Sequence, residues 1–258
     1  LFCLIVIAAF ADMVAGTFNA YTVVDGTETL VENAVVNGAA GSISIFFIIF
    51  AVVVGLIQRK AKLTGWKEIV LGLAFTVLSF VCGMNLPILW GKDAWVYFAF
   101  GFIFVAAVLP MWLLMQPRDF MSTFMFIGMI LGAALGLLFA HPTMNLQPFT
   151  GFNNPQLGTL FPILFVTVAC GAVSGFHSLV SSGTSSKTVS NEKDMLKVGY
   201  GAMVLESVLA VIALCVAGAA AGADGTPAVG TPFQIFSSGV AGFLEMFGIP
   251  VYVAQSFM

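Results

Sequence analysis

Long apolar runs separated by short polar stretches set the rhythm of this chain. A transmembrane helix needs about 20 apolar residues at about 1.5 Å rise per residue. Runs of that length, or nearly so, occupy residues 1–18, 41–58, 68–86, 94–115, 120–140, 159–181 and 198–222, and another begins near residue 250. The pattern predicts an all-α fold, a polytopic transmembrane bundle with about seven full spans and a truncated one. Residues 1–258 then form a single transmembrane domain, incomplete at both ends, because Leu1 and Met258 each lie inside an apolar run. With no initiator Met and no basic n-region, the opening run is not a signal peptide, and the chain is expected to be a piece of a longer protein. Pro110 and Pro162 fall inside predicted spans, where neighbouring helices can satisfy the freed carbonyls. The stretch 231–249 carries Glu245 and three glycines and is expected as a short helix at the outer interface. The alternative is that it begins a span directly. Gly128, Gly132 and Gly136 recur at the spacing that lets helix backbones approach.

Composition removes whole classes of function. The chain is 60% hydrophobic and 8% charged, against about 25% charged in a soluble domain. That excludes a soluble enzyme and a disordered chain, and a net charge of −3 leaves no basic surface for nucleic acid. The lipid bilayer is the expected partner. Cys3, Cys82, Cys170 and Cys215 stand singly in apolar runs and read as small hydrophobes.

The few charges then fix orientation. Arg59, Lys60, Lys62 and Lys67 lie in loop 58–67, Arg118 in 116–119, and Lys187, Lys193 and Lys197 in 182–197. Alternating spans bring these three loops to one side, which the positive-inside rule makes cytoplasmic. Only Lys92 lies opposite. The exterior loops are 19–40, 87–93, 141–158 and 223–249. Trp66, Trp90, Trp95 and Trp112 near span ends fit an aromatic belt.

Ionisable residues within spans are costly and point to function by default. Asp12, Glu206 and His177 are the three candidates. For each, the plainer alternative is a hydrogen bond that fixes helix packing. His177 lies in CGAVSGFHSLVSSGTSSK. Leu160 to Lys187 would measure about 42 Å as one helix, against a hydrocarbon core of about 30 Å. Gly171, Gly175 and Gly183 offer breaking points, and the hydroxyl-rich stretch 181–186 competes with the helix backbone for hydrogen bonds. A discontinuous helix is expected, with freed amides and hydroxyls lining a polar cavity, as in secondary carriers. Ser174, His177, Ser178 and Ser181 would share one face if the first part is helical. The expected substrate-binding set is Ser174, Gly175, His177, Ser178, Ser181, Ser182, Gly183, Thr184 and Ser185. His177, with Glu206 or Asp12, would carry a coupling proton, since histidine changes charge between about pH 5 and 8. The competing reading of 181–186 is a Ser/Thr-rich cytoplasmic loop after a span.

Other polar features carry less. Asp119 in Pro117-Arg118-Asp119 is expected as a helix cap and Arg118 as an interfacial anchor. His141 precedes Pro142 at an exterior span end. Enzyme readings fail on residues: a rhomboid-type protease wants G-x-S-G, whereas Ala172-Val173 precede Ser174. Two histidines are too few for a haem or di-metal oxidoreductase. No metal or cofactor is expected, and no catalytic residue is assigned.

At these residues the chain resembles the carbon starvation protein A family of bacterial and archaeal inner-membrane transporters. The resemblance rests on CGAVSGFHSLVSSGTSSK and GYGAMVLESVLAVIAL (199–214), with AAFADMVAGTFN (8–19), QPRDFMSTFMFIG (116–128) and LFPILFVTVACGAVSGFH (160–177). It thins in 24–40, 141–155 and 223–258. The resemblance implies a secondary carrier related to the amino-acid/polyamine/cation carriers, built on inverted repeats with broken helices. It further implies uptake of peptides or of small carboxylates such as pyruvate during carbon limitation, driven by protons. Full-length members are much longer and have more spans. The alternative is a membrane sensor or channel-like subunit without coupled transport.

Overall fold

The computed structural model describes residues 2–24, 27–31, 33–61, 65–146, 149, 151–154, 158–173, 177, 180–222, 232–246 and 248–257. The chain divides into two compact units, one of residues 1–141 and 229–258, the other of residues 142–228.

The first unit contains α1 (Phe2–Phe18), α2 (Ala34–Ala61), α3 (Trp66–Asn85), α4 (Lys92–Val108), α5 (Met115–Ala140), α8 (Pro232–Glu245) and α9 (Val251–Phe257). The second holds α6 (Leu160–Val173) and α7 (Met195–Ala220). Helices over 34–61, 66–85, 115–140 and 192–220 are long and apolar enough to cross a membrane; α1 and α6 are apolar but shorter. The expected span 94–115 is shortened, because α4 stops at Val108 and Leu109 is extended. Pro110 is the cause: its ring disfavours helical geometry in the preceding residue. Residues 110–114 form a turn, and α5 starts at Met115. Asp119 therefore lies inside α5 rather than capping it, and its carboxylate takes the Arg118 guanidinium at 3.1 Å.

The exterior stretch 19–40 is not one loop. Tyr21–Val24 (β1) pairs antiparallel with Thr27–Leu30 (β2), in the register Tyr21↔Leu30 to Val24↔Thr27. In sequence they are joined by Asp25-Gly26, a dipeptide that two-residue hairpins favour. α2 then begins at Ala34, seven residues before the apolar run predicts.

The core of the first unit sits where α2, α3 and α5 meet. Phe47, Ala51, Val54 and Met121 are buried, with Phe50, Leu71, Phe75 and Met125 packed against them. Small residues allow this approach. Gly72, Thr76, Ser79 and Gly83 are the buried positions of α3. A Cβ on Gly72 would meet the Phe120 and Phe124 rings, and one on Gly83 would meet the Ile43 backbone at 2.5 Å. The buried hydroxyls bond within their own helices, Thr76 to the Gly72 carbonyl at 2.8 Å and Ser79 to that of Thr76 at 2.7 Å. An apolar medium leaves no other partner for such groups.

Each end of this unit is tied differently. At one end the Arg59 guanidinium lies 4.1 Å from the centre of the Trp112 ring. There Gln58 also donates to Glu68, and Pro117 abuts Gly55. At the other end the amide of Ala20 donates to the Trp90 carbonyl, Asn37 Nδ2 to the Asn19 carbonyl, and the amide of Ile88 to Ser42 Oγ. Trp95 departs from the aromatic-belt expectation: it is 2% exposed and packs on Phe18, Trp90 and Phe98. Gly41 leaves the room for it. Trp66 and Trp90 stay exposed.

Within 231–249 the helix α8 has 14 residues, about 21 Å and too short to cross the core. It packs on α5, Leu244 over Gly132 and Phe243 over Gly136, so those two glycines do admit a close neighbour. Large apolar side chains face outward elsewhere, among them Phe104, Val108, Leu138 and Phe139. Lipid is the solvent that accepts such a surface.

In the second unit, Asn153–Asn154 (β3) pairs with Gly158–Thr159 (β4) within the expected loop 141–158. Phe161 is non-helical before Pro162, so the regular part of α6 starts at the proline. The far end of α7 is closed by Asn145, whose amide nitrogens donate to the Gly218 and Ala221 carbonyls, both at 3.1 Å. These are orphan carbonyls of a helix C-terminus.

Candidate functional site

The second unit sets two ionisable groups against each other in apolar surroundings. Glu206 lies eleven residues into the 26-residue α7, about 16 Å along it and close to its midpoint. Nine residues separate Glu206 from Lys197, which is held at the helix start by Asp194 at 3.4 Å. His177 follows α6, and its Nε2 stands 3.4 Å from Glu206 Oε2. The pair joins the interrupted segment after α6 to the centre of α7. Neither side chain is enclosed by it: His177 is 44% exposed and Glu206 50%.

From Val180 the chain is helical, but not α-helical throughout. Ser181–Ser185 form a π-turn in which the Ser186 amide donates to the Ser181 carbonyl, five residues back. One α-turn, Ser186–Thr188, follows. A single π-turn widens the helix, and such turns concentrate at functional sites. Hydroxyl chemistry is what tolerates it here. Ser186 Oγ donates to the Ser182 carbonyl at 2.7 Å, and Thr188 Oγ1 donates to Thr184 and Ser185 carbonyls at 3.1 and 3.2 Å. Across 181–186 the backbone is therefore a widened helix, and the Ser186 and Thr188 hydroxyls serve backbone carbonyls. The Asn191 side chain then accepts from the Lys193 amide at 3.1 Å, starting the 3₁₀ turn Glu192–Asp194 that leads into α7.

The expected site residues separate into groups. His177 and Glu206 come together. Ser181, Ser182, Gly183, Thr184 and Ser185 form the π-turn, with the last three half-buried. Ser174, Gly175 and Ser178 lie outside the described residues, as does any common face they would share with His177. Asp12 belongs to the first unit, where its carboxylate meets Lys92 Nζ at 2.7 Å. The sequence reading did not pair these two. Its available signal was that Lys92 alone sits on the exterior side, while Asp12 lies six residues from the end of α1. Among the described residues no group of three or more His, Cys, Asp or Glu is arranged to hold a metal ion.

An imidazole facing a carboxylate can exchange a proton while the pair stays neutral. Placed midway along an apolar helix beside a hydroxyl-rich π-turn, it offers a protonatable point and a local set of polar atoms. Fold and site together define a multi-pass α-helical membrane protein with a His–Glu pair midway along an apolar helix.

The comparisons give the family. The family model of the carbon starvation protein CstA matches residues 1–249, and the chain belongs to that family. It is 48% identical over 136 residues, 51% of this chain, to the pyruvate/proton symporter BtsT of Escherichia coli K12. It is 52% identical over 118 residues, 44% of this chain, to the peptide transporter CstA of the same organism. The peptide transporter CstA of Bacillus subtilis 168 is 41% identical over 127 residues, 48% of this chain. The matched stretches cover 19%, 17% and 21% of those three proteins, so the chain spans about a fifth of the relatives it matches. No solved structure matches.

Proposed function

We propose that the full-length protein is a secondary carrier of the carbon starvation type, importing peptides or small carboxylates such as pyruvate together with protons during nutrient limitation. The carrying observation is the 3.4 Å contact between His177 and Glu206 midway along an apolar helix, next to the Ser181–Ser185 π-turn. The names of the relatives, peptide transporter and pyruvate/proton symporter, support the same class. In this reading the His177–Glu206 pair together carries the coupling proton. The hydroxyls and amides from Ser174 to Ser185, Gly175 and Gly183 included, receive the substrate carboxylate. Asp12 is the other candidate for carrying the coupling proton. Its ion pair with Lys92 supports a role in fastening α1 to α4 at least as well.

The carrier lies in the inner membrane, with 58–67, 116–119 and 182–197 facing the cytoplasm. The gathering of Arg59 and Arg118 at one end of the first unit, with Lys92 at the other, supports that orientation. Proton-driven uptake by full-length protein in vesicles tests the site. His177→Gln should abolish accumulation driven by a pH gradient, and unchanged uptake with unchanged pH dependence would remove His177 from the mechanism. Counterflow separates a carrier from a channel-like subunit or sensor, since only a carrier exchanges labelled substrate against its gradient.

A further inference from the structure

We infer that the His177–Glu206 pair sets the charge balance of transport: one monocarboxylate anion crosses with one proton, and no net charge moves. The inference rests on the carrier reading above. It follows from what the pair can do while half open. With His177 protonated and Glu206 ionised, the empty site holds one proton and is neutral. Half of each side chain is exposed, so a carboxylate can reach the imidazolium without the pair first coming apart. Glu206 and the incoming anion then share one cation. Two carboxylates held against one cation at close range do not both stay ionised, so Glu206 takes a second proton. The loaded site now holds two protons and one substrate anion, and is again neutral.

Both forms can therefore cross a low-dielectric barrier without carrying charge through the membrane field. The difference between them is one proton and one anion. No other charge upsets this count among the described residues of the unit. Lys187, Glu192, Lys193, Asp194 and Lys197 all lie between 187 and 197, and Lys197 is about 13 Å from Glu206 along α7. Tyr200 and Cys215, the remaining titratable side chains of α7, stand six and nine residues from Glu206.

The test uses full-length protein in liposomes loaded with potassium buffer, with labelled pyruvate as the probe. An inward proton gradient is imposed, and valinomycin sets the potential either to zero or strongly negative inside. Expected is gradient-dependent uptake whose initial rate changes less than twofold between the two potentials, with one proton entering per pyruvate by an internal pH dye. A tenfold acceleration at negative potential, or two protons per pyruvate, would overturn the inference and leave the proton-coupled carrier standing. Uptake indifferent to the proton gradient would overturn both. Glu206→Gln checks the assignment: its proton entry per pyruvate, or the pH at which uptake is half-maximal, must move away from wild type. If neither moves, the pair is not the coupling site.

Discussion

A methyl group at Gly83 should separate the two most closely packed helices of the first unit. Built on the backbone of α3, the Cβ of Gly83→Ala would lie 2.5 Å from the amide nitrogen of Ile43 and 2.6 Å from its Cα. Favourable carbon contacts begin at about 3.5 Å, so α2 and α3 must part by about 1 Å. Rotating the Ile43 side chain would move its Cγ1 aside but would leave the backbone N and Cα in the way. Overpacking of this kind costs about 1–3 kcal/mol. The separation would also loosen the hydroxyl-bearing face at Thr76 and Ser79. Against this stands the gain of about 1 kcal/mol from replacing glycine by alanine in a helix.

Gly101→Ala on α4 is the matched control, because no atom lies within 4 Å of its Cβ. Thermal unfolding of full-length protein in detergent, followed by size-exclusion fluorescence, should show Gly83→Ala melting several degrees below Gly101→Ala. Equal midpoints would mean that α2 and α3 do not cross at Ile43 and Gly83, and the packing scheme would fail.

Three other outcomes follow from particular contacts. Ser42→Ala removes a fully buried hydroxyl that donates to the Gly38 carbonyl at 2.9 Å and accepts from the Ile88 amide at 2.8 Å; a loss of about 1–3 kcal/mol is expected in the same melting assay. Gly136→Val should displace Phe243, whose Cβ lies 2.7 Å from where a Cβ added to this glycine of α5 would sit, and lower the midpoint more than Gly101→Val does. For Asp12 and Lys92, a double-mutant cycle of Asp12→Asn and Lys92→Met should give a coupling of about 0.2–1 kcal/mol, the range of partly exposed ion pairs. A coupling of zero would mean that the pair does not fasten α1 to α4.

Helix existence was legible in the sequence wherever apolar residues ran long enough, because a lipid environment leaves the backbone few other solutions. Boundaries were less so. Local chemistry overrides hydropathy at Leu109, where Pro110 ends α4, and α2 starts at Ala34 because Asn37 and Gly38 interrupt the apolar stretch 34–40 without ending the helix. The hairpin at 21–30 is readable from its Asp-Gly link between β-branched positions, but hydropathy alone gives only a loop there. Trp95 shows a further limit: proximity to a span end says nothing about which way a ring turns, and Gly41, 54 residues earlier, decides it. At the site, the costly residues could be listed from sequence but their partners could not. Pairing is a property of helix crossings, and the same list of ions allows Asp12 to serve either His177 or Lys92.

That pairing separates two contacts of similar kind. Asp12–Lys92 joins a carboxylate to an ammonium at 2.7 Å, and side chains of those two kinds ordinarily change charge well outside physiological pH. His177–Glu206 contains the one side chain that ordinarily changes charge there. Its place near the midpoint of α7, a helix long and apolar enough to cross a membrane, sets a protonatable group at a depth where charge is expensive. A group so placed is costly to keep if its only task is packing, since an apolar pair could do as much. The carrier reading proposed above gives that depth a use, whereas Asp12 and Lys92 need only fasten α1 to α4.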